Sequence, residues 1–300
     1  MLYGIVDIGS NTVRLNVYNY KNNKLNIIFT RKENLGLIFY IKKDKLTKEG
    51  IKKLITLLKE IKADLDHLNV KCYSFFSTAP LRVIKNRAQV IQIIQDNVNI
   101  EVDVLSGEEE GAMSFYGSVS TLKKDNGILI DVGGGSVEIV LFKNKKIIKS
   151  CSIGVGSLKM YNEYVSLLIP TEKECKLIKN VVYSELDKIN FETDEKIPFM
   201  CGVGGNIRAM GKILVDLKLI KSKKGLIDIK LIKKLKMEFK PEKKDTYTEI
   251  LQVKPSRIHT FVPALIIVES ISSYFGCEKL QISKYTVREG YLYEKLLKRC

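Results

Sequence analysis

The chain opens on an apolar run, Leu2-Tyr3-Gly4-Ile5-Val6, that stops at Asp7. After the turn Asp7-Ile8-Gly9-Ser10-Asn11-Thr12, the stretch Val13-Arg14-Leu15-Asn16-Val17-Tyr18 alternates apolar and polar positions, the period of a half-buried strand. Lys21-Asn22-Asn23-Lys24 reads as a hairpin turn before a third strand, Leu25-Asn26-Ile27-Ile28-Phe29. From Thr47 to Leu68 the period changes. Apolar residues at 51, 54, 55, 58 and 61 line one helical face, with Thr47 as the N-cap. Cys72 to Phe76 predicts another strand and Ala88 to Gln95 another helix. The plan then returns. Gly127-Ile128-Leu129-Ile130 is an apolar strand ending at Asp131, followed by the turn Asp131-Val132-Gly133-Gly134-Gly135-Ser136. Next come a strand over Val137 to Phe142, a turn at Lys143-Asn144-Lys145 and a strand at Ile147-Ile148. Strand, Asp-x-Gly turn, strand, turn, strand thus occurs twice, 124 residues apart. Such self-similarity is an architectural signal. It predicts two related α/β domains facing each other, with helices packed on mixed sheets.

The two turns carry the first candidate chemistry. Glycine lets the backbone approach a ligand, and successive N–H groups in such a turn form an anion-binding concavity. Gly9, Gly133, Gly134 and Gly135 supply that freedom, and Ser10, Asn11, Thr12 and Ser136 add side-chain donors. Asp7 and Asp131 at the strand ends can hold Mg²⁺, usually through water, or a nucleophilic water. A third cluster, Gly202-Val203-Gly204-Gly205-Asn206, opens a helix predicted from Ile207 to Leu214. A helix N-terminus fed by glycine is a ready anion site, with Gly204 and Gly205 as its candidate contacts; a tight strand-to-helix turn is the alternative. No Walker A loop and no G-x-G-x-x-G is present.

Ser106-Gly107-Glu108-Glu109-Glu110-Gly111 follows the apolar Val102-Asp103-Val104-Leu105, where a strand gives way to a helix. Acidic residues suit the first turn of a helix; a glutamate facing phosphate would instead orient and deprotonate water. Arg82, in Ser77-Thr78-Ala79-Pro80-Leu81-Arg82, suits phosphate through its planar fork, with a structural ion pair as the rival. Arg257 is a similar candidate with less support.

Composition narrows the classes. No stretch approaches the roughly 20 apolar residues that span a bilayer. Phe261 to Phe275 comes nearest and is broken by Pro263 and Glu269. There is no secretory signal pattern, so a cytoplasmic protein without membrane contact is expected. Six cysteines without a CxxC, and only two histidines, disfavour a zinc site and predict free thiols. The formal charge of +16 attracts polyanions. Ten of the lysines fall between Lys221 and Lys244, a solvated face or a polyanion tract. Aromatic residues are not interleaved with them as base stacking requires, which disfavours nucleic acid.

Taken in order, these motifs, together with Asn86, Val137-Glu138 and Val287-Arg288-Glu289-Gly290, resemble the exopolyphosphatase / guanosine pentaphosphate phosphatase family. The resemblance implies the actin–sugar-kinase–chaperone fold: α/β, two actin-like (ribonuclease-H-like) domains with mixed sheets flanked by helices, and the active site in the interdomain cleft. Residues 1–122 with 284–300 would form the first domain and 123–283 the second. It implies release of terminal phosphate from inorganic polyphosphate, guanosine pentaphosphate or both, with Mg²⁺ or Mn²⁺. Glu110 matches the glutamate that activates water, and Asp131 and Glu138 match acids that place metal and water. Asp7, Gly9, Ser10 and Asn11 match the first phosphate loop, Gly133 to Ser136 the second, and Arg82 an arginine that meets phosphate. Asp7, Asp131 and Glu138 are the metal candidates. Val137, Val203, Asn206 and Pro80 depart from the family pattern. The chain ends soon after Arg288-Glu289-Gly290, as the short form would, for which a homodimer is one arrangement. A kinase of the same superfold, using ATP, and a non-catalytic polyphosphate or alarmone sensor are the competing functions.

Overall fold

The apolar run, the alternating stretch and the segment after the expected hairpin turn become three antiparallel strands: β1 (Leu2–Ile8), β2 (Val13–Lys21) and β3 (Lys24–Glu33). Two parallel strands, β4 (Cys72–Ser77) and β5 (Val102–Val104), complete a five-stranded sheet in the order β3-β2-β1-β4-β5. The computed structural model describes residues 1–22, 24–189, 191 and 196–299, so Asn23 of the expected hairpin turn and the terminal cysteine lie outside the described residues. By density of internal contacts the chain divides into two units, Met1–Met113 with Arg288–Cys300, and Ser114–Val287.

In the first unit Val6, Ile8, Val13, Leu15 and Val17 turn to one face of the sheet. They meet Leu54, Leu58, Ile61 and Leu65 of the amphipathic helix Lys48–His67 and Val90, Ile94 and Val98 of the helix Arg87–Val98. Thr47 caps the longer helix, its hydroxyl accepting from the Gly50 N–H at 3.2 Å. The opposite face is covered by the C-terminal segment, where the ring of Tyr291 stacks on Phe76 at 4.7 Å.

The second unit repeats the plan. Strands β6 (Gly127–Val132), β7 (Val137–Lys143) and β8 (Lys146–Ile153) are antiparallel; β9 (Phe199–Val203) and β11 (Lys279–Ile282) run parallel to β6, and β10 (Leu226–Asp228) pairs antiparallel on the edge. The order is β8-β7-β6-β9-β11-β10. With β10 set aside, both sheets run third, second, first, fourth, fifth. This is the duplicated, mixed-sheet, actin-like arrangement expected. At the β7–β8 turn Asn144 and Lys145 both take positive φ, 51° and 55°, as a two-residue hairpin turn requires.

The apolar run at 261–275 is a helix, Phe261–Tyr274, with Phe261 through Val268 all buried. It packs against the helices Glu172–Leu186 and Ile229–Glu238. No described helix is long and apolar enough to cross a membrane. Cys151, Cys175, Cys201 and Cys277 are free. The expectation of free thiols is corrected at Cys72, which is disulfide-bonded. A disulfide joins sulfurs brought close by the fold, which spacing along the chain does not report.

Candidate active site

Strands β1, β4 and β5 end level with one another: Ile8 lies opposite Ser77, and Ser77 opposite Val104. Ligands of α/β sheets gather at such carboxyl ends. Three of the sequence motifs follow directly from these ends: the turn after Asp7, the segment Thr78–Arg82, and Leu105–Glu110. Ser77 ties them together, its hydroxyl donating to the Ile8 carbonyl at 2.9 Å and its own carbonyl accepting from Leu105 N–H at 2.9 Å.

The first turn is closed by Gly9 N–H donating to the Thr12 carbonyl at 3.0 Å. A Cβ on Gly9 would stand 3.1 Å from that same oxygen. The carbonyls of Ser10 and Asn11 accept from Ile38 and Gly36 N–H at 3.0 and 2.9 Å, and the Thr12 hydroxyl bonds Asn34. The second turn has the same construction. Gly133 N–H donates to the Ser136 carbonyl at 3.0 Å, and a Cβ on Gly133 would stand 3.0 Å from it. The carbonyls of Gly133 and Gly134 accept from Ser157, Leu158 and Lys159 N–H at 2.9–3.0 Å, at the start of the helix Ser157–Tyr164. A turn whose carbonyls are held on one side presents its N–H groups on the other, the concavity that suits an anion.

The acids are held in different ways. Glu110 lies in the first turn of the helix Gly107–Ser118, and its Oε2 accepts from Arg82 Nη1 at 2.8 Å. The same Arg82 nitrogen donates to the Leu105 carbonyl at 3.1 Å. The arginine and the glutamate singled out from the sequence therefore meet each other. Glu109 has another task. Ser106 N–H donates to its carboxylate at 2.8 Å while Glu109 N–H donates to the Ser106 hydroxyl at 3.1 Å, a reciprocal capping box. Pro80 sits in the first turn of the short helix Ala79–Arg82, where proline is accommodated because its missing N–H has no helical partner.

Asp7 is largely buried against Arg288, whose Nη1 donates to Oδ2 at 2.6 Å. Burial pushes the Asp7 carboxyl above its ordinary range, partly offset by the Arg288 guanidinium. Burial works against the Arg288 charge too, but Asp7 and Glu289 overcome it and hold the guanidinium above its ordinary value. Beside this pair Asn16 Nδ2 donates to the Tyr18 hydroxyl at 2.9 Å, which donates to Glu289 at 2.6 Å. Sequence reasoning quoted Arg288 and Glu289 without a role and missed Tyr18 and Asn16; the signal was the row of polar-tipped side chains Arg14, Asn16, Tyr18 and Tyr20 on one face of β2.

In the second unit Val203 lies opposite Asp131 on the parallel strands β9 and β6. The third glycine cluster thus starts where the second turn starts. Ser114 donates to Asp131 Oδ2 at 2.6 Å. Glu138, opposite Asp131 across β6–β7, is fully buried and accepts from the Ser136 and Ser152 hydroxyls at 2.7 and 2.9 Å. Gly204 takes φ +114°, and a Cβ there would press on the Val132 carbonyl at 2.9 Å. A Cβ on Gly205 would strike the Arg257 guanidinium at 2.4 Å, so Arg257 lies over this loop. Asn206, a departure from the family pattern, is buried; it donates to Ser157 at 2.9 Å and accepts from Thr260 at 3.3 Å. Ser157 in turn donates to the Gly133 carbonyl at 3.0 Å, so the third loop braces the second turn. The structure brings together Asp7, Gly9, Ser10, Asn11, Thr12, Arg82 and Glu110 at one end of the first sheet. It brings Asp131, Gly133 to Ser136, Glu138, Gly204, Gly205 and Arg257 together in the second unit. Gly204→Ala is expected to cost about 1–3 kcal/mol, the strain of a side chain at this φ; a urea midpoint equal to that of wild type would contradict it.

A model of the Ppx/GppA phosphatase family matches residues 16–299. The chain belongs to the Ppx/GppA phosphatase family. It is similar over its whole length to the Aquifex aeolicus member of that family, with 26% identity, a TM-score of 0.83, and 100% and 98% of the two chains covered. An exopolyphosphatase from Cytophaga hutchinsonii shares the fold, with a TM-score of 0.85 at 21% identity over 99% and 98%. A bifunctional 3-dehydroquinate synthase/phosphatase of Fusobacterium nucleatum is 26% identical in an alignment of length 298 that covers 93% of this chain and 44% of that protein. The chain spans about half the length of the curated relatives it matches.

Whether this family member's residues suit a divalent cation follows from the donors. Among the described residues no group of three or more His, Cys, Asp or Glu side chains is placed to hold a metal ion. Mg²⁺ does not need one, since it keeps several waters and takes one or two carboxylates plus substrate phosphate. Asp131 fits that use: it is partly exposed, oriented by Ser114, and sits beside an anion-suited turn. Glu138 fits less well, being fully buried under two hydroxyls. Cys201 is no nucleophile, because burial pushes its thiol up to about 12, with the Asp131 charge adding to the shift.

Proposed function

We propose that this chain hydrolyses terminal phosphoanhydride bonds, with inorganic polyphosphate or guanosine pentaphosphate as substrate. The observation that carries the reading is Glu110, a nearly buried carboxylate at the carboxyl end of the first sheet, aimed by Arg82 at 2.8 Å. Phosphoryl transfer asks little covalent chemistry of a protein; positioning and charge neutralisation dominate. The backbone N–H groups of the two turns would hold phosphate oxygens, joined by Ser10, Asn11, Thr12 and Ser136. Glu110 would orient an attacking water and take its proton. Arg82 would hold Glu110 in place and lend its positive charge to phosphate. Asp131 would hold Mg²⁺ or Mn²⁺ through water, and the ion would neutralise charge on the transferring phosphoryl group. Glu138 would fix the Ser136 hydroxyl. Arg257 would bind phosphate near Gly204 and Gly205. The +16 charge favours the longer polyanion.

The test is phosphate release from long-chain polyphosphate and from guanosine pentaphosphate with Mg²⁺ or Mn²⁺. Chelation should abolish release and added metal restore it. Tight polyphosphate binding without turnover under any divalent metal would replace the hydrolase by a sensor.

A further inference from the structure

The lysine run at 221–244 does not behave as one face. Lys236, Lys240 and Lys243 line a cavity of about 510 Å³ in the second unit, and residues 221–234 do not. The opposite wall comes from the helix Glu172–Leu186, which contributes Lys176 and Lys179. Two carboxylates enter the same cavity, and each is already paired. Lys240 holds Glu172 at 2.9 Å and Lys243 holds Glu238 at 2.8 Å. Lys176, Lys179 and Lys236 form no ion pair among the described residues, so the cavity keeps an excess of three positive charges. Their fields overlap: Lys240, then Lys176 and Lys236, hold the Glu172 carboxyl below its ordinary range. The floor is apolar, with Ile266 and Phe239 buried.

We propose that this cavity is a second binding site for inorganic polyphosphate, holding a stretch of the chain that is not being cleaved. The cavity lies within the size range of small-ligand sites, about 300–1,000 Å³. Lysine serves phosphate as a movable point charge. Phe239, the one aromatic residue among those lining the cavity, is buried, so no ring face is offered to a nucleic-acid base. The cavity shares no residue with the Gly133–Ser136 turn. The assignment of polyphosphate rests on the hydrolase reading above; the anion-binding chemistry does not.

The experiment uses the full chain in three forms: wild type, the triple variant Lys176→Gln/Lys179→Gln/Lys236→Gln, and Glu172→Gln. Long-chain polyphosphate is titrated in the presence of chelator, so that binding is read without turnover. Rates on long-chain polyphosphate and on tripolyphosphate are then measured with metal. Removing three charge contacts is expected to weaken long-chain binding about tenfold. It should raise the KM for long chains by a similar factor, with kcat and tripolyphosphate turnover unchanged. Glu172→Gln should act in the opposite direction, because it removes a negative charge and releases Lys240. Unchanged long-chain binding in the triple variant would overturn the proposal, as would single-stranded DNA binding the cavity in place of polyphosphate. If wild type cleaves neither of these substrates nor guanosine pentaphosphate, yet the triple variant still loses binding, the hydrolase reading falls and the site stands. If wild type is active and the triple variant binds long chains as tightly, the site falls and the hydrolase reading stands.

Discussion

Glu110→Gln is expected to lower phosphate release by about 10²- to 10⁴-fold, the range for loss of a positioned proton acceptor, with KM near that of wild type. Glutamine keeps the shape of the side chain, and its amide oxygen can still accept from Arg82 Nη1, which lies 2.8 Å from Oε2. The start of the helix Gly107–Ser118 depends on Ser106 and Glu109 rather than on Glu110. What the variant loses is the capacity to take a proton from water. Glu109→Gln is the internal control. Glutamine serves in a capping box as glutamate does, so that variant should keep both stability and rate. Initial rates on long-chain polyphosphate at saturating metal decide the matter. A Glu110→Gln enzyme within about threefold of wild type would remove Glu110 from the chemistry.

Arg288→Met is expected to destabilise the protein by about 3–5 kcal/mol, because breaking a buried ion pair from one side leaves its partner charge uncompensated. Asp7 and Arg288 are 14% and 10% exposed at their side chains and 2.6 Å apart. Glu289 and Tyr18 continue the buried polar network from there. Adding Asp7→Asn should recover much of the lost stability, since the two sites are directly coupled. It should not recover phosphate release, because Asp7 opens the first turn. Urea unfolding of the two single variants and the double variant measures this coupling. A single variant within about 1 kcal/mol of wild type would show that the pair is not buried in solution.

Local rules made much of this protein legible. The first strand follows from the apolar run Leu2–Val6, the second from the alternation over Val13–Tyr18, and the helix from Lys48 from period 3.6 with Thr47 as its cap. Boundaries were less legible. The helix expected over 88–95 runs Arg87–Val98, and the one expected over 207–214 runs Gly205–Asp216, because end residues are set by packing and by turn geometry. The helix Glu172–Leu186 was missed although its capping box at Thr171 and Glu174 is a local signal. Partners far along the chain were not legible. Asp7 finds Arg288, Tyr18 finds Glu289, and Lys176 and Lys179 share a cavity with Lys236.

The two Asp-x-Gly turns mark the division. Their existence, their repeat and their glycines are properties of short stretches of sequence, because a turn is decided by the few residues that form it. Which carbonyls are tied back, which acid is buried and which is aimed by an arginine depend on residues from distant segments. The sequence by itself determined a duplicated α/β chain with anion-suited turns at its strand ends. Only the tertiary structure decided that Arg82 holds Glu110, that Arg288 holds Asp7, and that part of a lysine run lines a cavity, since side-chain partnership is a property of distance in space.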